Sequence, residues 1–142
     1  MQKLPTAEQS IFVDPGVTSH MIERIIKEAI DTKCYEAESN NSTYGFSKAC
    51  LNVLTRDFAD LNPNLTINSC TPGFILTDMT AEIGATNPPE AGTVAPLHCL
   101  FGENIGTGFY FGSDAVRSPL DRYRGPGMTN FSDYVTFINI SM

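Results

Sequence analysis

The stretch YGFSKACLNVLTRDFADLNPNLTINSCTPGF, residues 44–74, decides the fold of this 142-residue chain. Its first part carries apolar residues at helical spacing and is followed closely by a proline, which predicts a helix over residues 44–61 with Ser42 or Thr43 as its N-cap. The next segment is short and β-prone, and a Pro-Gly pair breaks it, which predicts a strand over residues 65–71. The chain therefore contains a helix followed by a strand.

Upstream of this stretch, the segment TSHMIERIIKEAIDTK predicts a second helix, over residues 18–33. Its isoleucines recur every three or four positions, so they share one face of the helix, and Thr18 or Ser19 can serve as N-cap. Residues 1–17 contain two prolines and a glycine and indicate a loop. The helix is therefore expected to pack its apolar face on the rest of the chain.

Downstream, the pattern repeats. Residues 89–100 begin with proline, which suits a first helical turn, and predict a helix. The segment TGFYFGSD, residues 107–114, predicts a strand between glycines, and coil follows it. The tail over residues 128–142 is apolar but has no predicted partner. The first predicted strand and the loop after it occupy residues 65–77. A helix and a second strand then follow in the chain.

An alternation of helices and strands is typical of a parallel α/β sheet with helices on its faces. A doubly wound sheet of six strands needs considerably more chain, at roughly 30 residues or more for each βαβ unit. The sequence also contains no G-x-G-x-x-G turn. We therefore interpret it as the C-terminal part of a Rossmann-type doubly wound sheet whose N-terminal dinucleotide-binding half is absent.

Composition and charge restrict the possible partners. Sixteen acidic and nine basic residues give a net charge of −7, which repels nucleic acid and anionic membranes at long range. No stretch of sequence has the length of a membrane span. Four dispersed cysteines and two histidines do not form a metal-binding pattern, so no metal is expected.

Five N-x-[ST] triplets would suit a secreted glycoprotein, which is one alternative. The first residues, MQKLPTAEQSIF, lack the apolar core of a secretion signal, so we expect a cytoplasmic protein with reduced thiols. The triplets begin at Asn40, Asn41, Asn64, Asn130 and Asn139.

The most informative pair of side chains is Tyr44 and Lys48. Residues four apart share a helix face, and a positive charge within about 4 to 6 Å favours the phenolate form of a tyrosine. Such a phenol can give a proton to a carbonyl oxygen while a cofactor delivers hydride to the carbon. Because this spacing also occurs on many solvated helices, the pair alone does not establish an enzyme.

Several ordered motifs together resemble the short-chain dehydrogenase/reductase family, and within it the carbonyl-reductase branch, in which a helical insertion precedes the tyrosine. The resemblance covers about residues 15–127. Its motifs are YGFSK at 44–48, LNVLTRDFA at 51–59, INSCTPGFILTDM at 67–79, PPEAGTVAPLHCLF at 88–101 and GFYFGSDAVRSPLDRYRGPG at 108–127.

The resemblance implies a role for each matched residue. Tyr44 would be the general acid and base, and Lys48 would lower its pKa and hold the nicotinamide ribose. The nicotinamide side of NADPH would be lined by four residues of the cofactor loop, and residues 78–90 would form a lid over a small carbonyl substrate. The four loop residues are Pro72, Gly73, Ile75 and Thr77. Residues 18–33 would be the helical insertion, which implies a monomeric parent enzyme.

The chain also departs from the family pattern. The phosphate-binding turn, the catalytic serine and the catalytic asparagine of the family would all precede Met1. The sequence thus predicts an oxidoreductase that reduces a ketone or aldehyde to an alcohol with NADPH, as a truncated chain inactive alone. The alternative is a non-catalytic binding module derived from a reductase half-domain.

Overall fold

A computed structural model describes residues 11–32, 40–120 and 124–128, with only the backbone at 40–42. The described residues contain three α-helices, a helical segment at residues 11–13, two short 3₁₀ helices and three short strands. The α-helices are α1, Ser19–Asp31, α2, Asn40–Leu61, and α3, Val94–Phe101. The 3₁₀ helices are Ala81–Ile83 and Pro89–Thr93, and the strands are β1, Ser69–Cys70, β2, Tyr110–Phe111, and β3, Arg117–Ser118.

Helix α1 packs on α2 around an apolar core. Ile22 of α1 and Val53 of α2 are fully buried, and Phe12, from a short helical segment before α1, meets Phe46 edge to face at 5.9 Å. The first backbone N–H of α1 lacks a partner within its own helix, as at every helix start. It donates to Asp57 of α2 at 2.9 Å. The side-chain hydroxyl of Ser19, and after it this backbone N–H, lowers the pKa of the Asp57 carboxyl. The two helices are thus joined by apolar contacts and by Asp57 of α2, which caps the start of α1.

The strands form a three-stranded mixed sheet within the described residues. β1 pairs with β2 in parallel, with Ser69 opposite Tyr110, and β2 pairs with β3 in antiparallel fashion. The architecture is therefore α/β, as expected, and is compatible with part of a Rossmann-like sheet. The expectation of a purely parallel sheet was wrong, because β3 folds back on β2.

This reversal is a tight hairpin that we had expected to be coil. The N–H of Gly112 donates to the carbonyl oxygen of Val116 at 2.9 Å, and the N–H of Ala115 donates to that of Gly112 at 2.9 Å. Ala115 has a φ of +60°, a conformation that residues with a Cβ seldom adopt. Because the sequence carries alanine at this position, where glycine is the usual signal, the turn was missed.

Both predicted strands were too long. Strand β1 was expected over residues 65–71, but in its N-terminal part side chains replace some of the backbone bonds, and one backbone bond remains, from the N–H of Gly108 to the carbonyl oxygen of Ile67 at 2.8 Å. The hydroxyl of Thr107 accepts the N–H of Ile67 at 3.0 Å, and Asn68 accepts the N–H of Phe109 at 2.9 Å. On the facing chain, predicted as a strand over 107–114, Gly108 has a φ of +74° and the hairpin begins right after Phe111. Regular pairing is therefore confined to two residues on each strand.

The helix boundaries also differ from those predicted. Helix α2 begins at Asn40, so Ser42 and Thr43 lie inside it and neither is its N-cap. Thr18 is the residue before α1 but makes no side-chain cap bond, since Asp57 supplies the acceptor. The helix expected over 89–100 starts as a 3₁₀ turn at Pro89 before becoming α-helical.

Two of the remaining expectations fall partly outside the described residues. The loop predicted over 1–17 is helical at 11–13, and residues 1–10 lie outside the description. Of the tail over 128–142, the structure describes Met128 alone. None of the helices in the described segments combines the length and hydropathy of a membrane span.

Large apolar side chains lie on the surface of the described residues. Met79 is 89% exposed and Phe101 at the end of α3 is 75% exposed. Leu51 and Phe58, one helical face of α2, are half exposed. Exposed large apolar side chains that adjoin one another mark binding surfaces or surfaces prone to aggregation.

We therefore expect the isolated chain to bind a hydrophobic dye such as anilinonaphthalene sulfonate, or to aggregate. The physical reason is that no element among the described residues covers the outer face of α3 or the face of α2 that carries Leu51 and Phe58. The measurement is dye fluorescence against a folded protein of similar size. A fluorescence no higher than that of the reference would contradict the expectation, and Leu51→Ser with Phe58→Ser should reduce the signal.

Candidate functional site

The first part of the candidate site is the N-terminal end of α2. The Lys48 ammonium nitrogen lies 5.3 Å from the centre of the Tyr44 ring, within range of a cation–π contact. Tyr44 is 66% exposed, so its phenol faces solvent. The Ser47 hydroxyl donates to the carbonyl oxygen of Tyr44 at 2.8 Å and stays within the same helical turn. The two side chains that the sequence singled out thus share one exposed face.

The second part is the loop after β1, which contains the four residues assigned to the cofactor. Pro72, Gly73 and Thr77 are exposed and Ile75 is half-buried. Gly73 has a φ of +86°, in the left-handed region that favours glycine. A Cβ on Gly73 would lie 3.0 Å from the Cβ of Ser113. The turn between β2 and β3, which contains Ser113, therefore packs closely on the turn at Gly73.

The loop is packed from its other side by the start of α3. A Cβ on Gly92 would lie 3.0 Å from a side-chain carbon of Ile75 and 3.4 Å from Pro72. Glycine at this position lets the 3₁₀ turn before α3 approach the loop closely. Neither Gly92 nor Ser113 was singled out from the sequence, because their contacts with the loop are not local in the chain.

A hydrogen bond connects α2 with β1. The Ser69 hydroxyl of β1 lies 2.9 Å from the side-chain oxygen of Asn52 on α2 and donates to it. Further along α2, a Cβ on Gly108 would meet the Cβ of Ala59 at 3.5 Å. Gly108 lies just before β2, so α2 crosses the sheet with its C-terminal part near the start of the strands. Sequence reasoning missed Asn52, since nothing in its spacing distinguishes it.

The cysteines and His98 are surrounded by groups that indicate a role in packing and not in catalysis. Burial raises the pKa of the Cys50 thiol to about 11, and burial together with the neighbouring Cys70 raises that of Cys99 to about 11. Both are therefore protonated at neutral pH, the unreactive form. The His98 ring packs edge to face on Phe111 at 5.0 Å. The described residues contain no cluster of three His, Cys, Asp or Glu side chains that could hold a metal ion.

Arg124, the arginine nearest the end of the described chain, forms an ion pair with Asp114. Arg124 and Asp114 are joined by two bonds, of 2.9 and 2.7 Å, and their side chains are 5% and 21% exposed. Asp114 also accepts the N–H of Gly127 at 2.9 Å. These bonds, chiefly those from Arg124, hold the pKa of Asp114 well below its usual range. The pair stabilises the end of the hairpin.

Comparison with known proteins identifies two similar sequences. The chain is 33% identical over 73 residues to salutaridine reductase of Papaver somniferum and of Papaver bracteatum. In each case the match covers 51% of this chain and 24% of the relative. The chain thus spans about a quarter of the length of the curated relatives it matches. No family model matches the sequence. The similarity supports a relation to reductases.

Proposed function

We propose that this chain is the C-terminal part of a short-chain dehydrogenase/reductase that reduces a ketone or aldehyde to an alcohol with NADPH. The observation that carries the proposal is the Tyr44–Lys48 pair, 5.3 Å apart from ammonium to ring centre on one exposed helix face. In this reaction the cofactor supplies hydride to the carbonyl carbon. Tyr44 donates a proton to the carbonyl oxygen, and Lys48 holds the ribose beside it.

The direction of α2 across the sheet supports a single site. Asn52 meets Ser69, and Ala59 lies near Gly108 at the start of the strands, so α2 runs antiparallel to β1. From Asn52 back to Tyr44 the helix rises by about 12 Å. From Ser69 on to Pro72 an extended chain advances by about 10 Å in the same direction. Tyr44 and the loop are therefore expected at the same level, at the carboxyl ends of the strands, where open α/β sheets bind ligands.

The loop residues fit the nicotinamide side of the cofactor. Gly73 leaves its turn free of a side chain, and the exposed Thr77 offers a hydroxyl to a polar group of the ring. The sequence provides no glycine-rich turn for the cofactor phosphates. Binding of the whole cofactor thus requires a part that this chain does not contain.

The finer points of the proposal rest on resemblance. The helix α1 covers one side of α2 through Ile22 and Val53, which supports the role of residues 18–33 as the insertion. Such an insertion suits a monomeric parent, and sedimentation showing a stable tetramer would contradict it. The carbonyl-reductase branch and a cytoplasmic location belong to the same proposal.

The proposal predicts that the 142-residue chain alone does not bind NADPH appreciably. Without a phosphate-binding turn, the chain offers only the contacts of the nicotinamide end, and most of the charge on the cofactor finds no partner. The measurement is a titration that follows NADPH fluorescence, with a complete reductase as the positive control. Binding at micromolar concentrations would contradict the proposed truncation.

A second candidate, the non-catalytic binding module, is favoured by the exposed apolar residues of α3 and α2. The two candidates differ in one assay. If the chain is joined to the missing dinucleotide-binding half, the reductase proposal requires ketone-dependent oxidation of NADPH. A joined protein that folds and binds NADPH but turns over no carbonyl compound would favour the binding module.

A further inference from the structure

A threonine that the sequence did not single out, Thr80, lies three residues after Thr77, the last residue of the cofactor loop. The Thr80 hydroxyl oxygen is 2.5 Å from the carbonyl oxygen of Ile75, 2.8 Å from the backbone nitrogen of Thr77 and 2.9 Å from the hydroxyl oxygen of Thr77. Thr80 is half-buried, whereas Thr77 is exposed. One side chain thus bonds both ends of the segment from Ile75 to Thr77.

Counting protons fixes the direction of these bonds. A carbonyl oxygen only accepts, and the carbonyl oxygen of Ile75, at 2.5 Å, is much closer to the Thr80 hydroxyl than that of Thr77, at 3.3 Å. The single hydroxyl proton of Thr80 therefore goes to Ile75. Thr80 then has only lone pairs left, which accept the backbone N–H and the hydroxyl proton of Thr77. The proton of the Thr77 hydroxyl is therefore used inside the loop. Its own remaining lone pairs are available to accept a hydrogen bond from a ligand.

The other half of the loop is held separately. The carbonyl oxygen of Asn87 accepts the N–H of Leu76 at 2.8 Å, and the Asn87 side chain donates to the carbonyl oxygen of Phe74 at 3.1 Å. Because these bonds do not involve Thr80, loss of its hydroxyl should leave the loop folded. The two effects, holding the loop and orienting Thr77, can thus be separated by experiment.

We propose that Thr80 is a positioning residue that makes the Thr77 hydroxyl a hydrogen-bond acceptor for the carboxamide N–H of a nicotinamide ring. This inference rests on the proposed function, since the ligand is the nicotinamide end of NADPH. The hydrogen bonds of the Thr80 hydroxyl go to Ile75 and Thr77. Thr80 acts through Thr77, whose hydroxyl would rotate freely between donor and acceptor if Thr80 did not bind its proton.

The first test uses the 142-residue chain and needs no cofactor. Thr80→Val keeps the shape but removes the acceptor of the Thr77 N–H, and a hydrogen bond of this kind changes an equilibrium by a factor of about two to ten. We expect amide hydrogen exchange at Thr77 to become faster by about that factor, while Thr80→Ser keeps the native rate. Thr93→Val is the matched control, because the Thr93 hydroxyl donates to the backbone carbonyl oxygen of Glu90 at 2.8 Å, outside the loop. Unchanged exchange at Thr77 would overturn the proposal.

The second test uses the chain joined to its dinucleotide-binding half. The acetylpyridine analogue of NADPH carries a methyl group in place of the amide nitrogen, so it cannot donate to Thr77. We expect the native protein to have a KM for the analogue about two- to tenfold above that for NADPH. In Thr80→Val this ratio should fall towards one, and Thr80→Ser and Thr93→Val should keep it.

The outcomes separate this inference from the proposed function. A ratio that Thr80→Val leaves unchanged overturns the orienting role even if the enzyme works normally. If the joined native protein binds no NADPH, the proposed function fails and the role of Thr77 as acceptor fails with it. Hydrogen exchange in the 142-residue chain then still decides whether Thr80 holds the loop.

Discussion

Replacing Tyr44 by Phe in the chain joined to a dinucleotide-binding half, as the proposed function requires, should lower kcat for ketone reduction by about 10²- to 10⁴-fold, the usual contribution of a positioned general acid. The change removes one oxygen from a ring that is 66% exposed, so it should not affect folding. The measurement is NADPH oxidation in the presence of a ketone. Because proton donation occurs in the transition state, kcat should fall far more than KM for NADPH rises.

Two further variants show whether the effect belongs to the phenol. Lys48→Met should also impair turnover, and it should raise KM for NADPH because the ribose loses its ammonium partner. Ser47→Ala is the matched control, since its hydroxyl donates to the carbonyl oxygen of Tyr44 in the same turn. Turnover in Tyr44→Phe equal to that of the native protein would rule out the assigned role.

The second large effect concerns stability. Asp114→Asn should lower the free energy of unfolding by about 3 kcal/mol, the lower end of the range for breaking a buried ion pair. We take the lower end because Asp114 keeps 21% of its side-chain surface exposed, although Arg124 keeps only 5%. The variant has nearly the same shape and can still accept the N–H of Gly127, so the loss comes mainly from the unpaired guanidinium. Urea denaturation of the chain measures it.

The dependence on pH provides an independent check. Bonds from Arg124 lower the pKa of Asp114 in the folded chain, so the stabilisation is present in full above the unfolded pKa of about 4. It is lost as the pH falls from there through the folded pKa, because the carboxylate must then be protonated. The stability difference between native and Asp114→Asn should therefore shrink below about pH 4. Asp78→Asn, at an exposed loop carboxylate, is the control, and an equal loss there would contradict the specific role of the pair.

The sequence predicted the elements better than their ends. Helical periodicity located α1 and α2 because an apolar face must be buried, and Ile22 and Val53 are fully buried as this requires. The strand lengths failed because the side chains of Thr107 and Asn68 take bonds that a regular ladder would make. Side chains that replace the backbone in these hydrogen bonds leave no periodic signal in the sequence.

The candidate site was predictable where its parts are local. Tyr44 and Lys48 are one helical turn apart, so spacing alone predicts their shared face. The contacts of the loop with Ser113 and Gly92 join residues about 20 to 40 positions apart, and only the fold brings them together. Thr80 is the intermediate case, because it is three residues from Thr77 and could have been recognised as a threonine that bonds the backbone of its own turn.

The hairpin of β2 and β3 has a consequence for the order in which the chain folds. Its pairing joins Phe111 to Arg117 across one short turn, whereas β1 meets β2 only after closing a loop of about 40 residues. The entropy of loop closure makes the longer connection costlier by about 1.5 kcal/mol. The hairpin can therefore form early and present an edge to which β1 adds later. The loop that contains Gly73 and Thr77 follows β1, so it would take its final shape among the last steps of folding.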